Sequence, residues 1–400
     1  MTSHTLHLAD DIAGTLPVQV HFSAAEFADR RRRLQEAMTG RGIDCLLITR
    51  LEDQYWLAGF DSGAASVFHV LFFKADGTML HLSRSADLGN IGFTSQCRDV
   101  RVVDDRHGWS RGMAIRDALE SLGCKGGVAG VETDSVGMPL ALHQELTHAV
   151  DGWCALTDSS QVIRGLRRVK SAEELAHMRR AGEILAEASA TTIDMVRPGV
   201  SEGDLMAEFQ KVVYSAGGEV FAGFPHGSGK RAMLVRPVSG RGTVGENDQV
   251  LFEPGAAFRH YCVATMYSVL TGPVVDPRHR AMHDACVDAL EEVQSTIKVG
   301  ATFGDLYEAH RSVMARHGFE HAALQACGYN MGAVWETTWM EPPFMAADVP
   351  LVLEEHMTIF THMILLDRST GLSMALGETV EVTTNGPSQI STVPRAVMVK

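Results

Sequence analysis

The sequence predicts an α/β N-terminal domain followed by a larger α+β domain made of two related halves. Three observations lead there. Short apolar strands alternate with helices up to about residue 165, the pattern of an open α/β sheet. From residue 171 long amphipathic helices take over. A unit of helix, break and helix then occurs twice, about 100 residues apart, and such self-similarity marks an internal duplication. Four hundred residues suit about two domains, and the boundaries read as 1–165 and 166–400.

The elements follow in order. SAAEFADRRRRLQEAMT opens a helix, with Ser23 placed to cap, Glu26 in the first turn, and Phe27, Leu34 and Met38 at helical spacing. DCLLITR is a short buried strand. SVFHVLFFKADGTMLHLS reads as a hairpin turning at ADGT. VRVVDD is a strand, RGMAIRDALESLG a helix, and GGVAGVE a buried strand.

SAEELAHMRRAGEILAEASATTIDMV then begins a long helix with a capping box, Ser171 and Glu174. The duplicated pieces are RPGVSEGDL (197–205) and KVGATFGDL (298–306), each leading into a helix. Each copy precedes a strand-rich section, 219–272 and 320–393. Within the first, VLFEPGAAFRHYCVATMYS reads as a buried strand, a Gly turn and a second strand, with Glu253 its lone carboxylate.

Composition narrows the function. The net charge of −14 argues against nucleic acid, which needs a basic face. Only seven of the 35 basic residues are Lys. The seven Cys form no C-x-x-C pair and several sit in apolar runs, as buried thiols of a reducing compartment do. MTSHTLHLADDIAG lacks the pattern of a signal peptide, and no apolar run approaches the ~18 residues of a membrane span. The expectation is a cytoplasmic protein with no membrane or nucleic-acid partner.

The duplicated plan resembles the creatinase/prolidase/methionine-aminopeptidase superfamily, whose C-terminal domain is the pita-bread fold. QYWLAGF (54–60) resembles a strand of its N-domain, and VKSAEELAHMRRAG (169–182) its linker helix. VLFEPGA, CGYNMG, EEHMTIFTHM and GETVEVTTNG fall where the family keeps its active-site strands. In the peptidase branch those strands supply two Asp, one His and two Glu to a pair of metal ions. Carried over by position, these become Glu253, Ala264, Tyr329, His362 and Gly377, with Glu378 adjacent. One carboxylate and a His do not offset two dications, so no metal or other cofactor is expected.

The resemblance is nearer to the metal-free branch, creatinase and ectoine hydrolase. GYNMGAVWETTWMEPP is most like ectoine hydrolase, through Gly328, Tyr329, Gly332, Trp335, Trp339 and Glu341. That family's catalytic glutamate matches Glu253, and its late strand carries Glu at the position of Glu378. FDSGAASVFHV and WETT (335–338) depart from its pattern, where ring selectivity would be set.

These residues suggest hydrolysis of a C–N bond in a small zwitterionic amidine. Glu253 could hold the cationic carbon group and then attack it or activate a water. His362 could shuttle a proton, being expected to titrate near neutrality, as could His226 in GFPHGSGKR, whose GSGK lacks P-loop spacing. Arg236 could clamp the substrate carboxylate. Tyr329, Glu341 and Glu378 could line the pocket, and Trp335 and Trp339 could stack on the cation. The resemblance also implies a homodimer in which His69 and Asp61 reach the partner's site. The alternatives are a creatine-type amidinohydrolase, an Xaa-Pro dipeptidase-like metallohydrolase and a non-catalytic ligand-binding homologue.

Overall fold

The computed structural model describes residues 6–7, 18–103, 109–220, 226–335 and 338–400. The chain divides into two compact units, Met1–Arg167 and Arg168–Lys400. The last two residues of the expected strand VRVVDD, the start of GFPHGSGKR and the middle of WETT lie outside the described residues.

In the first unit the order is β1 (Leu6–His7), α1 (Ala24–Thr39), β2 (Cys45–Ile48), α2 (Leu51–Ala58), β3 (His69–Lys74), β4 (Met79–Arg84), α3 (Leu88–Thr94), β5 (Val100–Val103), α4 (Arg111–Ser121), β6 (Val128–Val131), α5 (Leu140–Val150), β7 (Ala155–Asp158) and α6 (Ser160–Arg167). The described strands form one mixed sheet, β1-β5-β4-β3-β2-β6-β7. Ser23 caps α1, its hydroxyl accepting from the Glu26 N–H at 3.1 Å. Phe27, Leu34 and Met38 are fully buried, and each such side chain contributes about 1.5–3 kcal/mol. QYWLAGF is a correction: residues 54–58 form the second half of the helix α2, not a strand. All eight residues of α2 are buried, so its apolar run carries no amphipathic period to separate helix from strand.

The second unit runs α7 (Ala172–Met195), α8 (Glu202–Ser215), β8 (His226–Ser228), β9 (Gln249–Phe252), β10 (Gly255–Phe258), β11 (Tyr261–Leu270), α9 (Pro277–Thr296), α10 (Phe303–Arg316), β12 (Gly328–Asn330), β13 (Glu341–Phe344), β14 (Thr358–Asp367), β15 (Leu372–Thr383), β16 (Gly386–Gln389) and β17 (Met398–Val399). Its sheet is ordered β13-β12-β14-β15-β11-β9-β8, with β10 and β17 on β11 and β16 on β15. Helix α7 packs on β10 and β11, and α9 on β14 and β15.

The duplication is visible in backbone detail. Ser201 Oγ accepts from the Asp204 N–H at 3.0 Å, and Thr302 Oγ1 accepts from the Asp305 N–H at 3.1 Å. The glycine before each cap is left-handed, Gly199 at φ 85° and Gly300 at φ 93°, a conformation that favours glycine. Each cap also makes an isolated antiparallel bridge, Ser201 to Thr243 and Thr302 to Val352. The two copies of x-G-[AV]-[ST]-x-G-D thus build the same turn twice.

VLFEPGAAFRHYCVATMYS corrects the sequence reading in one respect. It forms three strands, not two, because Glu253 and Pro254 interrupt the first. The tight turn falls at Arg259 and His260, both with positive φ, and Gly255 lies in a strand paired with Ala264.

Candidate active site

A cavity of about 350 Å³ opens in the second unit. Glu253, Tyr329, Trp339, His362 and Arg236 all line it, together with Thr338, Met340, Phe344 and apolar residues. Glu253 is placed by the end of β9, immediately after the buried Phe252. Tyr329 comes from β12 and His362 from β14, which are paired neighbours.

Among the described residues of the cavity wall, Glu253 is the single carboxylate and Arg236 the single cation besides the imidazole. Tyr329 donates its phenolic proton toward Glu253 Oε1 over a long 3.4 Å. The indole Nε1 of Trp339 donates to the Tyr329 oxygen at 2.9 Å. The Trp339 ring lies against Gly255, where a Cβ would come within 2.8 Å of it. Gly255 and Ala264 are directly paired and share a face. The lack of a side chain at Gly255 admits the indole.

Burial pushes the Glu253 carboxyl up to about 7, against the pull of the Arg236 charge and the Tyr329 hydrogen bond. Burial and the nearby Glu253 charge raise the Tyr329 phenol well above its usual value, so it stays a neutral donor. Burial, with His310 nearby, lowers His362 to about 3. This corrects the expectation that His362 titrates near neutrality: at pH 7 it is a neutral imidazole. Its Nδ1 has no partner among the described residues, and neither has Nδ1 of the buried His310. His310 sits on α10, and nothing in its local sequence distinguishes it from a core histidine.

Several expected pocket residues lie elsewhere. Glu378 pairs across β15 with Thr361 and Thr265, while His362 pairs with Gly377. Strand alternation therefore turns Glu378 to the opposite face from His362. There it accepts from Gln294 Nε2 at 2.7 Å, the Val393 N–H at 2.8 Å and Arg395 Nη1 at 2.7 Å. Glu341 pairs with Asn330 and so faces away from its neighbour Tyr329. Its Oε2 and Lys170 Nζ both lie beside Gly332.

Trp335 stacks on His260 with ring centroids 3.6 Å apart and is not part of the cavity wall. His226 is buried on β8, bonded through Nε2 to the Glu202 carbonyl at 2.9 Å and stacked on Phe252. Glu378 serves an ion pair, Trp335 and His226 stack on other rings, and none of these three, nor Glu341, is among the residues lining the cavity. In the first unit His69 is 1% exposed, bonded through Nδ1 to Gln54 at 2.8 Å, so it is a core residue rather than one reaching outward. Asp61 is half-buried, its N–H held by Thr94 Oγ1 at 2.9 Å.

The residues present do not fit a pair of divalent cations. The five positions offer one carboxylate, one imidazole and a phenol. No group of three or more His, Cys, Asp or Glu with metal-holding geometry occurs among the described residues. At Gly377 a Cβ would lie 2.8 Å from the Phe360 ring, so the aromatic ring fills the place of a further ligand.

An α/β unit preceding a duplicated α+β unit with this central cavity defines a creatinase/prolidase-type hydrolase. Residues 30–169 match the Creatinase/Prolidase N-terminal domain and residues 176–384 match Metallopeptidase family M24. The chain therefore belongs to family M24, as a hydrolase of pita-bread fold. It is 25% identical over 402 residues to an uncharacterized hydrolase/peptidase, y4tM, of Sinorhizobium fredii, covering 95% of this chain and 99% of that one. It is 24% identical over 409 residues to the ectoine hydrolase of Halomonas elongata, covering 96% and 100%. Among solved structures, the Xaa-Pro dipeptidase from Bacillus anthracis superposes with a TM-score of 0.81 at 19% identity, over 94% of this chain and all of that one. That likeness establishes the fold.

Proposed function

We propose that this hydrolase cleaves a C–N bond of a small zwitterionic cyclic amidine, of the ectoine kind, without a metal ion. The observation that carries the reading is Glu253, the single carboxylate among the described residues of a cavity wall whose one permanent cation, among those same residues, is Arg236. One anion and one cation complement a zwitterion. The phenol of Tyr329 and the indole of Trp339 supply neutral donors and an aromatic wall. The full-length similarity to an ectoine hydrolase supports the same substrate class.

In this reading the substrate amidinium lies against ionised Glu253, and its carboxylate reaches Arg236. Glu253 then either bonds to the amidine carbon or takes a proton from a water that does. Net addition of one water breaks one C–N bond of the ring and leaves an amide and an amine. A carboxyl poised near 7 can take up a proton and return it to the leaving nitrogen. The neutral His362 serves as a hydrogen-bond acceptor rather than as an acid.

The test is a product assay with ectoine, 5-hydroxyectoine, creatine and an Xaa-Pro dipeptide, each before and after chelation, with metal content measured on the purified protein. Ring opening that survives chelation is expected. Dipeptide cleavage that requires stoichiometric metal would overturn the proposal. Urea release from creatine would replace the cyclic substrate by an open-chain guanidine. A further run in ¹⁸O-water, followed by mass analysis of the Glu253 peptide, identifies the covalent route when label appears in the carboxyl, which requires water to attack the carboxyl carbon of an adduct.

A further inference from the structure

The cavity of the second unit has two kinds of wall. Glu253, Arg236, Tyr329 and His362 form the polar one, and the proposed chemistry uses each of them. Val235, Leu324, Ala326, Phe344 and Ile364 form the other, and that chemistry gives them no task. A polar ring of the ectoine kind offers such a surface little more than a methyl group.

Strand register shows how the apolar wall is built. On β14, Ile364 lies two residues beyond His362, so both point to the same face, about 7 Å apart along the strand. Residues 322–327 run beside β14 ahead of β12. They are held there by the Ala323–Leu365 bridge, by the Leu366 N–H to the Ala322 carbonyl and by the His362 N–H to the Cys327 carbonyl, both at 2.9 Å. In the register of that bridge Leu324 falls opposite Ile364 and shares its face. On the other side of β12, Phe344 is paired with Tyr329, and their rings meet edge to face with centroids 5.9 Å apart. Ile364 is 6% exposed, Val235 37% and Phe344 42%. The apolar surface thus runs from the interior to the mouth, where two large apolar side chains are left in water beside a cavity.

We propose that the cavity binds an amidinium whose amidine carbon carries an apolar substituent larger than methyl, an alkyl chain of several carbons or an aryl ring, seated on Val235, Leu324, Ala326, Phe344 and Ile364. It rests on the reading of Glu253 as the partner of an amidinium. A carboxylate meets the two nitrogens of such a group side by side, and the third substituent of the amidine carbon then points away from Glu253. Tyr329 and Trp339 occupy the polar end beside that carboxylate, which leaves the apolar wall to the substituent. Charge fixes one end of the ligand and apolar burial holds the other. Each methylene removed from water adds about fourfold to affinity.

The experiment titrates the whole chain with acetamidine, butyramidine, hexanamidine and benzamidine by calorimetry at pH 8, where Glu253 is ionised. Affinity should rise about fourfold per methylene between acetamidine and butyramidine, and benzamidine should bind more tightly than acetamidine. Phe344→Ser and Ile364→Thr should each reduce the gain with length, and Glu253→Gln should weaken all four probes. Affinity that is flat or falls with chain length in the unaltered protein overturns the proposal, as does a gain that both apolar-wall variants leave intact. A product assay separates this failure from failure of the ring-opening reading. There the 2-propyl homologue of ectoine should exceed ectoine in kcat/KM by about tenfold. Ectoine opened alongside a flat amidine series removes the apolar subsite and keeps the ring opening. A rising series with no ring opened keeps the subsite and removes the ring opening.

Discussion

The Trp339 indole donates to the Tyr329 phenolic oxygen at 2.9 Å, and the phenolic proton is thereby directed at Glu253, 3.4 Å away. The three side chains come from three separate segments, residues 338–340 ahead of β13, β12 and the end of β9. Each residue is placed by its own strand or turn. The indole sets which way the hydroxyl points.

Removing the indole donor while keeping an aromatic ring tests that relation. Trp339→Phe should lower kcat by about three- to tenfold, the equivalent of one neutral hydrogen bond, with little change in thermal stability. Tyr329→Phe should lose more, since it removes both the acceptor for Trp339 and the donor to Glu253. Equal losses in the two variants would mean that Trp339 acts only by packing.

The raised pKa of Glu253 fixes the pH dependence of both rate and stability. The ionised form is the reactive one, so kcat/KM should rise with pH through a midpoint near 7. The folded protein retains a proton that the unfolded chain releases near 4.5. Stability is therefore full below that pH and falls as pH rises toward 7, by at most about 3 kcal/mol. Glu253→Gln should abolish this fall and raise the melting temperature at pH 8 but not at pH 4, while lowering kcat by about 10²–10⁴-fold. Calorimetry at the two pH values checks the first half and initial rates the second.

Arg236 is exposed apart from its contact with the Met340 sulfur at 3.7 Å, so its loss should leave the fold unchanged. Arg236→Ala should raise KM by about 10- to 100-fold for substrates bearing a carboxylate. The corresponding amide or ester should be far less affected. A uniform loss on charged and uncharged analogues would remove Arg236 from substrate recognition.

Glu202 should be the main acid-sensitive support of the loops near the cavity. It is fully buried at the start of α8 and accepts from the Ser228 N–H and hydroxyl, Arg231, and the N–H groups of Arg241 and Gly242. Burial alone would raise its pKa. The hydrogen bonds outweigh it and hold the carboxyl at about 2. Its contribution is present above about 4.5 and is lost as pH falls toward 2, on the order of 3 kcal/mol in all. Glu202→Gln should lower stability at pH 7 by about 2–4 kcal/mol and flatten the acid limb, as read by urea denaturation at pH 7 and pH 3.

The repeated turns and the pita-bread plan were legible in the sequence because capping residues act locally. Ser201 and Thr302 announce their helices from neighbouring positions. Glu253 was legible as well, as the one acid closing a buried run. Glu378 and Glu341 were misread because strand period, not residue type, decides the face. A shift of one residue separates Gly377, opposite His362, from Glu378, bonded to Arg395. His226 and Trp335 found partners distant in sequence, Glu202 and His260, which no local pattern reveals. The neutrality of His362 depends on how completely it is enclosed, again a tertiary property.

The Phe360 ring against Gly377 closes that position to a side chain. A glutamate at 377 would meet the ring before it met a cation. A carboxylate there would cost packing before it could serve as a ligand, so the room for change in this pocket lies around Glu253.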